Sequence, residues 1–147
     1  NDIKKGDFSL HHGFFSSLQL INPTIRRYVK VANIIALQLR IIKDTRQLLS
    51  GVRNAGQFTP AELAHCAGVI NHLLQDCLDV IEELMAVISG FDMTDDERLR
   101  RIDAIYSDMQ DKYAFASSFS EEMGLLTVQR MREQHEVDLS RKLNGLR

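Results

Sequence analysis

The sequence predicts an all-α protein, an antiparallel bundle of three long helices with a polar C-terminal helical segment and a short N-terminal piece. Two helix-start signals, Thr59-Pro60-Ala61-Glu62 and Thr94-Asp95-Asp96-Glu97, both read Thr-x-x-Glu. In such a box the Glu amide donates to the Thr hydroxyl and the Thr amide donates to the Glu carboxylate. Between the two signals Leu63, Ala67, Ile70, Leu74, Cys77, Ile81, Leu84, Ile88 and Phe91 alternate at spacings of four and three. That is heptad spacing, which favours helices packed about 20° from parallel. No stretch alternates apolar and polar residues with the two-residue period of a strand.

Residues 1–21 are expected to be irregular. Asn1 to Gly6 reads as a frayed tail, whereas Phe8, Leu10, Phe14, Phe15, Leu18, Leu20 and Ile21 are apolar enough to pack, around a short helix after Gly13. Asn22-Pro23 is a third start signal, with Asn22 as N-cap and Pro23 at the first helical position. The first long helix then spans about 23–50. Ile25, Tyr28, Ala32, Ile35, Leu39 and Ile42 form one apolar stripe, and Val31, Ile34, Ile41 and Leu48 form a second beside it. Two stripes imply a helix buried around much of its circumference, hence central. Gly51, Asn54 and Gly56 mark its end and the connection.

The second helix, about 60–89, opens with Pro60 and is expected to close on Gly90 as a C-cap residue. The third, about 95–119, carries Leu99, Ile102, Tyr106, Met109, Tyr113 and Ala116 on one face. Ser118 to Glu122 is the expected break, where Ser120-Glu121-Glu122 re-caps a new helix; a kink is the alternative. The last segment, about 121–143, is sparser in apolar residues and rich in charge, so it is expected to be peripheral and to stop at Asn144-Gly145. Connections of about four to eight residues suit an up-down bundle in a single domain covering residues 1–147.

Bulk composition narrows the function. At 147 residues, with 44% hydrophobic and 26% charged content, the chain is ordinary for one globular domain. A net charge of −2 offers no whole-molecule field for nucleic acid or an anionic membrane. The richest apolar stretch, Val29 to Ile42, is interrupted by Lys30, Asn33, Gln38 and Arg40, so no segment approaches the ~18 apolar residues of a membrane span. Cys66 and Cys77 lie on one helix, about 16 Å apart along its axis, too far for a disulfide. They read as buried thiols.

No catalytic or cofactor constellation emerges. His65, Cys66, His72 and Cys77 are soft ligand types, but the pairs sharing a face lie about 10 and 16 Å apart, whereas a one-helix zinc site needs spacings of three or four. Glu-x-x-His, needed twice for a di-iron carboxylate bundle, does not occur. There is no nucleophile elbow and no Gly-rich phosphate loop. The row His72, Asp76, Asp79 and Glu83 reads as a solvated face. Basic clusters at Arg26-Arg27-Lys30, Arg98-Arg100-Arg101 and Arg130-Arg132 are interleaved with acids and argue against dedicated phosphate binding. Protein–protein contact is the natural use of such a chain, with Phe14, Phe15, Val31, Ile34, Ile41 and Leu48 as the candidate partner-binding residues.

Two segments carry a resemblance. Gly56-Gln57-Phe58-Thr59-Pro60-Ala61-Glu62-Leu63 and Met93-Thr94-Asp95-Asp96-Glu97-Arg98, with the polar helix holding Asp138-Leu139 and ending Asn144-Gly145-Leu146, resemble a conjugal-transfer protein family of Bacteroides-type conjugative transposons and plasmids. The likeness runs from about Leu48 to Leu146; position 61 is Ala where the family has Glu. The resemblance implies a helical, envelope-associated, non-enzymatic component of a mating apparatus, exported to the periplasm with a leader absent from this chain. It is loosely similar to the minor pilin-like subunits of type IV secretion systems. The implied partners are other proteins of that apparatus or further copies of the chain, with no cofactor and no small-molecule substrate. A cytoplasmic helical adaptor touching nucleic acid through Arg98, Arg100 and Arg101 is the alternative expectation.

Overall fold

The computed structural model describes residues 23–145, and three helices account for nearly all of them. They are α1 (Pro23–Ala55), α2 (Pro60–Ser89) and α3 (Asp95–Leu143), packed against one another, with no strand among the described residues. The all-α expectation holds. The readings made for residues 1–21 lie outside the described residues.

Each helix buries a row at alternating spacings of four and three. On α2 the row is Cys66, Ile70, Leu73, Cys77, Val80, Leu84 and Val87, all buried. This corrects the phase expected from sequence. Ile70, Cys77 and Leu84 belong to both rows, but Ala67, Leu74 and Ile81 are only half-buried, and Ile88 and Phe91 are exposed. A helix with two neighbours must bury a band wider than one seam, so the apolar residues beside the seam are covered to different extents. Phe91 lies past the helix end, where helical phase no longer applies.

On α1 the row is Val31, Ile34, Gln38, Ile41, Thr45, Leu48 and Val52, with Ile34 and Ile41 wholly inaccessible. This is the second of the two predicted stripes. Of the first, Tyr28, Ala32, Ile35 and Leu39 are exposed, and only Ile42 is half-buried among its described side chains. Thr45 is tolerated inside because its hydroxyl donates to the Ile41 carbonyl at 2.7 Å, satisfying the polar group locally.

The helix that begins at Asp95 does not break at Ser118–Glu122 but continues to Leu143. Its seam runs Leu99, Ile102, Tyr106, Met109, Tyr113, Ala116, Ser120, Met123, Thr127 and Arg130, every one buried or half-buried. The register passes through the polar stretch unbroken, so packing overrides the local capping preference of Ser and Glu. The division into segments 95–119 and 121–143 is therefore corrected to one helix. From residue 131 to 145 every residue is exposed.

The ends are closed by identifiable groups. At α2 both halves of the capping box form: the Glu62 amide donates to the Thr59 hydroxyl at 3.2 Å, and the Thr59 amide donates to the Glu62 carboxylate at 3.0 Å. At α3 the Glu97 amide donates to Thr94 at 3.2 Å, but the Glu97 carboxylate accepts from Arg101 at 3.0 Å. α1 ends with Gly56 in the left-handed region at φ 67°, and α3 stops at Asn144-Gly145 as expected, with Gly145 at φ 69°. Gly90 does not adopt that conformation. Instead the Arg98 guanidinium donates to the carbonyls of Val87, Ile88 (3.1 Å) and Gly90 (2.7 Å), capping α2 with a cation where the helix dipole favours one.

The described chain forms two compact units, one of residues 23–40 and 76–113, the other of 41–75 and 114–145. In the first, Arg27 pairs with Asp95 at 3.4 Å, Lys30 with Asp103 at 3.7 Å, and Arg40 lies over the Tyr113 ring. The order of these pairs shows α1 and α3 running in the same direction. The core of this unit centres on Ile34, Leu84, Ile102 and Met109. The second unit is centred on Ile41, Thr45, Val52, Cys66, Ile70, Leu73 and Ala116.

Ile102→Ala, which empties a wholly buried position, is expected to cost about 2–5 kcal/mol by urea denaturation. Phe91→Ala, at a position 99% exposed, is expected to change stability by no more than about 0.5 kcal/mol in the same assay.

Candidate interaction surface

The residues singled out for partner binding divide sharply. Ile34 and Ile41 are inside the chain's own core and unavailable to a partner, and Val31 and Leu48 are half-buried on the same seam. Phe14 and Phe15 lie outside the described residues. On α1 the apolar surface left open is the other stripe. In the first unit Tyr28 is 65% exposed, Leu39 60%, and Ile35 is also exposed, while α2 adds Leu78, Met85 and Ile88.

This surface has a recess. Tyr28, Val31 and Ile88 line a cavity of about 330 Å³ together with Arg27, Asp95 and Arg98. Its lining mixes apolar and charged side chains, with the Arg27 guanidinium 5.6 Å from the centre of the Tyr28 ring. An apolar anchor surrounded by a polar rim is the usual anatomy of a protein–protein contact.

The second unit contains the densest polar cluster. Arg130, on the α3 seam, makes a bidentate pair with Glu62, at 2.7 Å to Oε1 and 2.6 Å to Oε2. It also donates to the Gln57 carbonyl at 3.1 Å and stacks over the Phe58 ring at 4.8 Å. One guanidinium thus holds the whole 57–62 connection. The Arg130 hydrogen bonds, followed by the bond from the Thr59 amide, pull the Glu62 carboxyl down to a pKa of about 2. The same pair pushes the Arg130 pKa up. Sequence reading grouped Arg130 with Arg132 as a basic cluster. The signal that separates them is phase, since Arg130 falls on the four–three row after Thr127 and Arg132 does not.

The remaining candidates are inert or committed. Cys66 and Cys77 are free, buried thiols, and burial raises the pKa of each. His65 and His72 are exposed, and among the described residues no group of three or more His, Cys, Asp or Glu is placed to hold a metal ion. Of the three arginines considered for nucleic acid, Arg98 is committed to three backbone carbonyls, whereas Arg101 makes an exposed pair with Glu97 one turn earlier. Among the described residues no helix is long and apolar enough to cross a membrane.

Comparison with known proteins adds no relative: no family model, no curated protein and no solved structure matches this chain.

Glu62 has a folded-state pKa below its unfolded value, so its contribution is fully present above the ordinary carboxylate range and is lost as pH falls. The stability difference between wild type and Glu62→Gln is therefore expected to hold near neutral pH. It should close between pH about 4.5 and about 2, read by denaturant midpoints across that range. For the thiols, Cys66 and Cys77 are expected to react with a thiol reagent only in denaturant. Stoichiometric labelling of the native protein within minutes would contradict their burial.

Proposed function

We propose that this chain is a non-enzymatic structural or accessory subunit of a conjugative DNA-transfer apparatus, acting through protein–protein contacts at the cell envelope. The observation that carries the contact role is the open apolar stripe of α1, Tyr28, Ile35 and Leu39, beside a cavity lined by Tyr28, Val31 and Ile88 together with charged side chains. Monomeric proteins seldom leave contiguous apolar surface uncovered without a binding role. The transfer role is supported by the resemblance of the Gly56–Leu63 and Met93–Arg98 segments to the conjugal-transfer family. In this reading the second unit holds the 57–62 connection rigid through Arg130, while the first unit presents the contact.

The test is genetic. Clean deletion of the gene from its native mobile element is expected to lower mating frequency by at least tenfold, with wild-type sequence in trans restoring it. Complementation by Tyr28→Glu/Leu39→Glu, at exposed positions that leave the core intact, should fail although the protein accumulates. Unchanged mating after deletion would sink the transfer reading, and full complementation by the double variant would sink the assignment of this face.

A further inference from the structure

The C-terminal part of α3 carries a second row that none of the described residues covers. Leu125, Val128, Arg132, His135 and Leu139 recur at spacings of three and four, with Leu143 four residues further on, and all are exposed. At about 100° per residue this row lies on the side of the helix opposite Met123, Thr127 and Arg130, the residues that pack inward. Its two ends are apolar, Leu125 with Val128 and Leu139 with Leu143, and its middle is charged. Among the described residues neither Arg132 nor Glu136 has an ion-pair partner, although both border this row.

We propose that this face pairs with the same face of a second copy, the two helices running antiparallel about a two-fold axis near residue 134. In that register Leu125 and Val128 of one chain meet Leu143 and Leu139 of the other. Arg132 of each chain meets Glu136 of its mate, so the central polar zone contributes two symmetric ion pairs. A parallel pairing would instead set Arg132 against Arg132 and Glu136 against Glu136, and like charges facing across a helix pair are unfavourable. The charge pattern thus selects both the partner and its direction. A two-fold contact of this kind is self-limiting and closes at a dimer. The inference stands independently of the transfer reading.

Sedimentation equilibrium of the full chain from low micromolar to submillimolar concentration tests it. A reversible monomer–dimer equilibrium is expected. Leu139→Glu should raise the dissociation constant at least about tenfold by placing a charge in the apolar end zone. Arg132→Glu and Glu136→Arg should each weaken the dimer alone, whereas the double swap, or an equimolar mixture of the two single variants, should restore it. These positions are exposed, and unchanged helical circular dichroism confirms that the variants fold. A single-chain mass at every concentration would overturn the proposal. So would a dimer indifferent to these substitutions but broken by Leu39→Glu, which would place self-association on α1.

Discussion

Everything in this chain hangs on a shared spacing. All three helices bury residues alternately four and three apart, from Val31 to Val52 on α1, Cys66 to Val87 on α2 and Leu99 to Arg130 on α3. An undistorted helix turns once in 3.6 residues, so a row that averages 3.5 stays on one side only when helices lie nearly parallel and wind slightly about each other. That constraint leaves little freedom in how α1, α2 and α3 pack, and it explains why α3 remains helical through Ser118–Glu122. A break there would throw Met123, Thr127 and Arg130 out of phase with the residues that precede them. The small polar side chains in the row, Thr45, Ser120 and Thr127, are accommodated rather than favoured. Thr45 and Thr127 donate to carbonyls of the preceding turn, whereas the Ser120 hydroxyl is, among the described residues, a buried side-chain polar atom left without a partner.

The helix starts at Pro60 and Asp95 were legible because the chemistry of a helix N-terminus is local: its first amides need acceptors, and a Thr-x-x-Glu box supplies one within three residues. What escaped was whatever depended on a distant segment. Arg98, which replaces Gly90 as the closure of α2, stands ten residues beyond Ile88. The exact seam on α2 depended on where two neighbours lie, and a wide apolar band such as Leu63 to Ile88 is compatible with more than one phase. On α1 both stripes were visible, but the sequence held no local mark to say which would be covered. Ile34 and Tyr28 are equally good apolar residues on adjacent faces, and tertiary packing alone separates them.

The exposed apolar surface of α1 was foreseen in kind but not in position. Surplus apolar content on α1 was apparent, and the surplus is real, but it sits on Tyr28, Ile35 and Leu39 rather than on Ile34 and Ile41. The polar sites were harder still. Arg130 gains its meaning from Glu62, Gln57 and Phe58, whose approach is a property of the folded chain and not of any window of sequence. Charged residues near one another in sequence, such as Arg98 and Arg101, turned out to serve unrelated tasks, one capping a helix and the other forming an intrahelical pair.

The pairing of Glu62 with Arg130 spans 68 residues, and the same carboxylate starts α2. Each compact unit likewise joins an early stretch of chain to a late one, residues 41–75 with 114–145 in the second. During synthesis, therefore, the early stretch of that unit emerges long before the arginine that completes its start. At ordinary elongation rates of about 5–20 residues per second, that wait lasts about 3–14 s, far longer than helix formation itself takes. The nascent chain spends that interval with Ile41, Val52, Ile70 and Leu73 uncovered by α3. The slower the translation, the longer that apolar surface stays open before α3 can close it.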